Sequence, residues 1–140
     1  MIDPALALRK AVRAHLISDS TVTDIVPADH VRAGSTRPDK FPAIRISDTT
    51  TTVMHGRAAG GQFVATVFLD LHLWALEDGL DRVQTIGAAV AHRFMTWPAT
   101  EAFGFELDEF KHQRTVYPRD PDPQYGHGVA FIEATIRWRL

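Results

Sequence analysis

The chain has no cysteine in its 140 residues, so disulfide staples, thiolate zinc sites and cysteine nucleophiles are excluded together. Asparagine is absent too, and arginine outnumbers lysine twelve to three, a bias that hints at a GC-rich coding sequence rather than at a function. No apolar run approaches the roughly 20 residues of a membrane span, and the opening "MIDPALALRKAVRAHL" lacks the basic-then-apolar order of a signal peptide. The expectation is a soluble protein, made in a cytoplasm, with no membrane partner. There is no block of like charge, and the net charge is −2. That argues against a general nucleic-acid binder, whose affinity comes mainly from Lys and Arg neutralising phosphates.

What remains is an ordinary globular composition, 45% hydrophobic and 23% charged, in a length that suits one domain over 1–140 and is too short for two. The charge is unevenly spread. Residues 63–109 carry eight acids against two bases, while 1–62 and 110–140 each come to +2. Such asymmetry could make complementary surfaces between like subunits, although an acidic solvated face is the simpler reading.

Ala5 to Ile17 reads as an amphipathic helix, with Ala5, Leu8, Val12 and Leu16 on one side and Arg9, Lys10 and Arg13 on the other. Asp3 stands at the cap position and Pro4 in the first turn. Thr21–Val26 suggests a short turn, His30–Ala33 a brief strand, and "GSTRPDK" (34–40) a loop. The run "AIRISDTTTTV" is β-branched and alternating, so it is predicted as one strand; "MHGRAAGGQ" (54–62) then forms a flexible tip before the strongest strand, Phe63–Leu76. Asp78 and Asp81 fit the start of a second helix, whose stripe Leu80, Val83, Gly87, Val90, Phe94 ends near Trp97-Pro98. Glu106–Tyr117 looks like an irregular strand and "PRDPDPQYGHG" (118–128) like a loop. In the last strand Ile132, Ala134, Ile136, Trp138 and Leu140 alternate with Phe131, Glu133, Thr135, Arg137 and Arg139. With no βαβ alternation, this order predicts an α+β fold: an antiparallel sheet with a long projecting β-hairpin and two main helices on one face.

Asp70 and His72 are the residues that invite a chemical reading. Two apart in a strand, they project to one side about 7 Å from each other, too far for a direct hydrogen bond but close enough to touch one substrate. The same face carries Phe68 and Trp74, whereas Val67, Leu69, Leu71 and Leu73 make an unbroken apolar face that must meet the helices. A half-aromatic, half-polar strand suits an interface better than bulk water. No metal site is indicated, since the seven histidines show no i, i+3 or i, i+4 pair and no HExxH. No serine stands in a G-x-S-x-G elbow, and the glycines match neither a phosphate loop nor a dinucleotide fingerprint. Catalytic, cofactor and metal residues are therefore expected to be none. The competing reading is a small enzyme or ligand-binding module in which Asp70 and His72 converge with His112 or His127.

A strand of 12–14 residues spans roughly 40–45 Å, longer than the roughly 35–40 Å diameter of a compact domain of this size. The hairpin is therefore expected to project, and its exposed edge to need a covering partner; a bent hairpin wrapped on its own domain is the alternative.

The ordered set of "LRKAVRAHL", "STVTDIV", "DHVRAG", "FPAIRIS", "TVFLDLHLWA", "LDRVQTIGAAVAHRF" and "FKHQRTVYPRDPDPQYGHGVAFIEATIRW" resembles the tail terminator or tail completion proteins of long-tailed phages and gene transfer agents. The likeness spans nearly the whole chain and rests on element order and hydrophobic pattern, with Pro42, Trp74 and the alternation before Trp138 as recurring positions. The resemblance implies a structural virion protein, not an enzyme. It would form a ring, hexameric by analogy, that caps the head-proximal end of the tail tube. Its partners would be itself, the tail tube protein and a head-tail connector or stopper, with DNA passing through unbound. It would be located in the tail or neck of a virion assembled in the host bacterial cytoplasm. A stopper or adaptor of the neck is the neighbouring alternative. The candidate interface residues are Phe68, Asp70, His72 and Trp74, with His55 and Arg57 on the hairpin and Glu133, Arg137 and Arg139 on the last strand.

Overall fold

A computed structural model describes residues 2–139. The first helix, α1 (Pro4–Ile17), starts where its cap chemistry puts it: Asp3 Oδ1 accepts the Leu6 N–H at 2.8 Å and Pro4 occupies the first turn. Leu8, Val12 and Leu16 are fully buried along its apolar stripe. A one-turn helix, α2 (Ser20–Thr23), is capped by Asp19. Next come strands β1 (Val31–Ala33) and β2 (Ala43–Ile46), which pair in parallel. The sheet is therefore mixed rather than wholly antiparallel, because the loop over 34–42 carries the chain back to the end from which β1 began.

The run predicted as one strand is two. Beyond Ile46 the Ser47 Oγ accepts the Thr49 N–H at 3.1 Å, a local side-chain-to-backbone bond that competes with the ladder. Pairing resumes in β3 (Thr51–Ala58). Both pieces lie along the same edge of β4 (Gln62–Leu76), β2 against residues 71–74 and β3 against 62–68. The tip expected over 54–62 is mostly strand. Only 59–61 turn, with Gly60 and Gly61 at φ +77° and +72°, a region glycine enters without steric cost.

The hairpin of β3 and β4 does not stand alone. Strand β6 (Tyr125–Arg139) pairs with β4 from Leu76↔Tyr125 to Gln62↔Arg139, and β5 (Glu106–Val116) pairs with β6 through two bulges. The order β1-β2-β4-β6-β5, with β3 also on β4, gives one six-stranded sheet whose β3 edge is free among the described residues. Tyr125–Gly128 of the predicted 118–128 loop belong to β6. Leu140, predicted to face inward, lies outside the described residues.

Helix α3 (Asp81–Arg93) has Asp81 in its first turn, as expected, but Asp78 does not cap it. The carboxylate of Glu77 accepts the Arg82 N–H at 2.8 and 3.0 Å. The helix stops at Arg93, short of Trp97-Pro98, and Phe94 turns into the core. The C-terminal ends of α1 and α3 are tied together by Arg93 Nε–H donating to the His15 carbonyl at 2.8 Å and His15 Nε2–H donating to the Arg93 carbonyl at 3.0 Å. Val67, Leu69, Leu71 and Leu73 of β4 are at most 1% exposed and pack with Leu8, Val83 and Val90 of the helices in one core. Each such side chain contributes about 1.5–3 kcal/mol on burial. Helices thus occupy one face of the sheet, and the other is left open.

Candidate functional site

Because the odd-numbered residues of β4 from Ala65 to Ala75 are spent on the core, its even-numbered residues dress the open face. Register then supplies their neighbours. Trp74 lies opposite His127, and their rings stack 4.0 Å apart at 9°. His72 is next: its Nδ1 sits 3.0 Å from His127 Nε2, with the rings near coplanar at 16°. One nitrogen must donate a proton and the other accept it, so this junction holds a single proton. Burial lowers the pKa of His72, opposed by Asp70. His127 is pushed down to about 4, first by burial and then by His72, with Asp120 opposing and Arg37 reinforcing. Both imidazoles are neutral at pH 7.

Tyr125 meets Trp74 edge-on and stacks on Phe41. The Arg37 guanidinium caps this column, 4.3 Å from the Tyr125 ring and 5.6 Å from Trp74. The same guanidinium reaches both oxygens of Asp120 at 2.9 and 3.0 Å, and the Asp120 side chain is only 6% exposed. The two proline-bearing loops before β2 and before β6 are thereby clamped over the aromatic column.

The remaining candidates follow down the sheet. Asp70 lies opposite Phe131, over which Arg114 sits at 4.5 Å. Phe68, 37% exposed, lies opposite Glu133, whose carboxylate accepts a 3.1 Å bond from Gln113. His55 occupies the β3 bulge and bonds Thr66 Oγ1 at 2.7 Å, and Thr66 bonds Thr135 at 3.1 Å. Arg137 grips Asp108 through Nε and Nη2 and reaches Gln62 through Nη1 at 2.8 Å. Arg139 donates to the Gly60 carbonyl at 2.7 Å, closing the hairpin tip. Arg57 is the exception: it pairs with Phe63 and covers that ring at 5.5 Å, on the helix-bearing side, where Phe63 stacks on Trp138.

Eight of the nine candidates therefore share the open face, and Arg57 does not. Of the two histidines considered with Asp70 and His72, His127 meets His72, while His112 lies on the other face against Phe94 and bonds Thr115 Oγ1 at 2.7 Å. Among the described residues no three His, Asp or Glu side chains are grouped to hold a metal. Sequence reasoning missed Arg37, Phe41, Asp120 and Tyr125. They sit in stretches whose Pro and Gly content reads only as turns, and no local spacing signals that they meet.

The chain is thus an α+β subunit: a six-stranded sheet with helices on one side, and on the other a face of aromatic, imidazole and ion-paired groups. The sequence matches the family described as tail completion protein gp17 over residues 10–137, and the chain belongs to that family. It is thus a structural protein of the phage-tail class and not an enzyme. Among solved structures, a chain of the "Virion of native gene transfer agent (GTA) particle" has TM-score 0.76 at 14% identity, covering 98% of this chain and 99% of that one. The bacteriophage SPP1 gp17 protein has TM-score 0.57 at 22% identity, covering 94% and 89%. At these identities the likeness speaks for the fold. No curated protein sequence matches the chain significantly.

Proposed function

We propose that the protein forms a ring of about six copies that caps the head-proximal end of a tail tube, halts its growth and offers a surface to the head-side connector or stopper. One observation carries this reading: the sheet has an open face and an unpaired edge that a lone subunit leaves in water. Strand β3 is exposed along nearly its whole length, with Val53 44% and Met54 55% exposed, and long uncovered edges of this kind are aggregation hazards unless a partner takes them. The membership in the tail completion family supports the same reading. DNA would traverse the ring without being gripped, which suits a chain of net charge −2. The open-face candidates Phe68, Asp70, His72, His55, Glu133, Arg137 and Arg139 are assigned to contacts with a neighbouring copy or with tube protein, and Trp74, buried beneath Arg37 and against His127, to holding that face in shape.

The test is native mass and electron microscopy of the protein at high micromolar concentration, alone and with tube protein added. Rings of about six copies are expected in at least one condition, and a strictly monomeric mass in both overturns the reading. His72→Gln is expected to weaken those rings while leaving the fold intact. Labelled protein found against the portal rather than at the tube end would instead assign it as an adaptor.

A further inference from the structure

The parallel register of β1 and β2 sets Arg32 directly opposite Arg45. Val31, Ile44 and Ile46 fill the core, so both arginines project to the open face. Like charges directly opposed in a sheet repel, and neither guanidinium has an ion-pair partner among the described residues. Arg45 Nε is buried and has no hydrogen-bond acceptor, an unusual state for a charged donor. Arg32 is held in place from behind, its Nε donating to the Asp29 carbonyl at 2.8 Å, which leaves its terminal nitrogens free to act. A polar cavity of about 150 Å³ opens at the pair and is also lined by Lys40, His30, Asp29 and Asp39. Across β2 the next neighbour of Arg45 is His72, which is neutral at pH 7 and supplies no counter-charge.

We propose that this cavity is a carboxylate-binding site that receives an acidic side chain from a neighbouring protein. That the neighbour is a tail component rests on the function proposed above; the carboxylate site itself does not. A guanidinium fork matches the planar, two-oxygen geometry of a carboxylate, and Arg32, Arg45 and Lys40 bring three positive charges to one cavity. A DNA backbone fits less well. It is a continuous line of charge that would have to run past Asp29 and Asp39 at the cavity wall, whereas a carboxylate brings a single charge to the cavity.

The experiment is NMR titration of the full chain at pH 7 and constant ionic strength, following the Arg Nε–H and histidine signals with N-acetylglutamate amide as probe. A saturable shift of the Arg45 Nε–H is expected, together with a rise in the pKa of His72 at saturation. Arg32→Gln is expected to weaken binding about tenfold, and Arg45→Gln to abolish saturation. Should Arg45→Gln disturb the fold, Arg32→Gln carries the test alone. A non-saturable shift matched by chloride, or undiminished binding in Arg32→Gln, overturns the proposal. So does a short DNA duplex that shifts Arg45 at lower concentration than the glutamate probe. Ring formation is read separately by native mass. Normal rings without carboxylate binding overturn only this site, and saturable binding by a protein that never assembles overturns only the ring.

Discussion

Tyr117 shows how much a single residue can depend on its surroundings. Its ring is wedged between Gly128 of β6, where an added Cβ would lie 3.0 Å from the ring edge, and Gly87 of α3, where a Cβ would lie 3.2 Å from Cζ and collide with the hydroxyl. Gly87 stood in the apolar stripe of the helix by spacing alone; the structure shows that it is small to admit a phenol. Gly87→Ala is expected to destabilise through this overpacking. In a Tyr117→Phe background the same change should cost less, with a coupling of about 0.5–3 kcal/mol in a double-mutant cycle by urea unfolding. Histidine protonation works at the same scale. His15, His72 and His112 are lowered from 6.5 chiefly by burial, and His127 to about 4. Folded, these rings stay neutral where the unfolded chain takes up protons. Stability is therefore full above about pH 6.5 and declines as pH falls through that value toward about 4. Thermal melts between pH 7 and pH 4 are expected to show a falling midpoint, and His127→Gln to make the fall shallower.

At the scale of elements, caps and breaks decide more than propensity. The start of α3 was legible in its acidic composition, but which acid caps it was not. Glu77 reaches forward from the end of β4 because the turn at 78–80 folds it back onto the helix. Glu77→Ala is expected to cost about 0.5–2 kcal/mol in urea unfolding, and Asp78→Ala to be close to neutral. The division of β2 from β3 likewise escapes pattern reading, since Ser47 and the threonines after Asp48 are good strand residues until the Ser47 hydroxyl captures a backbone N–H. Strand β3 offers a further test. Its Val53 and Met54 touch water in the single subunit, so Met54→Lys is expected to change stability by no more than about 0.5 kcal/mol. If β3 is the covered edge, the same change blocks rings in native mass spectra.

For the molecule as a whole, the sequence by itself determined the class of fold, the absence of thiol chemistry, the apolar face of β4 and the resemblance to tail proteins. These follow from periodicity and composition, which are local: alternation in 65–73 can only mean one buried face, and Asp3-Pro4 can only open a helix. Residues far apart in the chain had no such rule to bring them together. The parallel pairing of β1 with β2, the passage of β6 along the full length of β4, and the meeting of His72 with His127 and of Arg37 with Asp120 were decided by tertiary structure alone. Arg57 makes the point from the other side. Named with the interface candidates for its position near the hairpin tip, it is turned onto the helix-bearing face by the bulge at His55. One inserted residue reverses which side of a strand its successors face, and only the pairing of strands reveals where that residue is inserted.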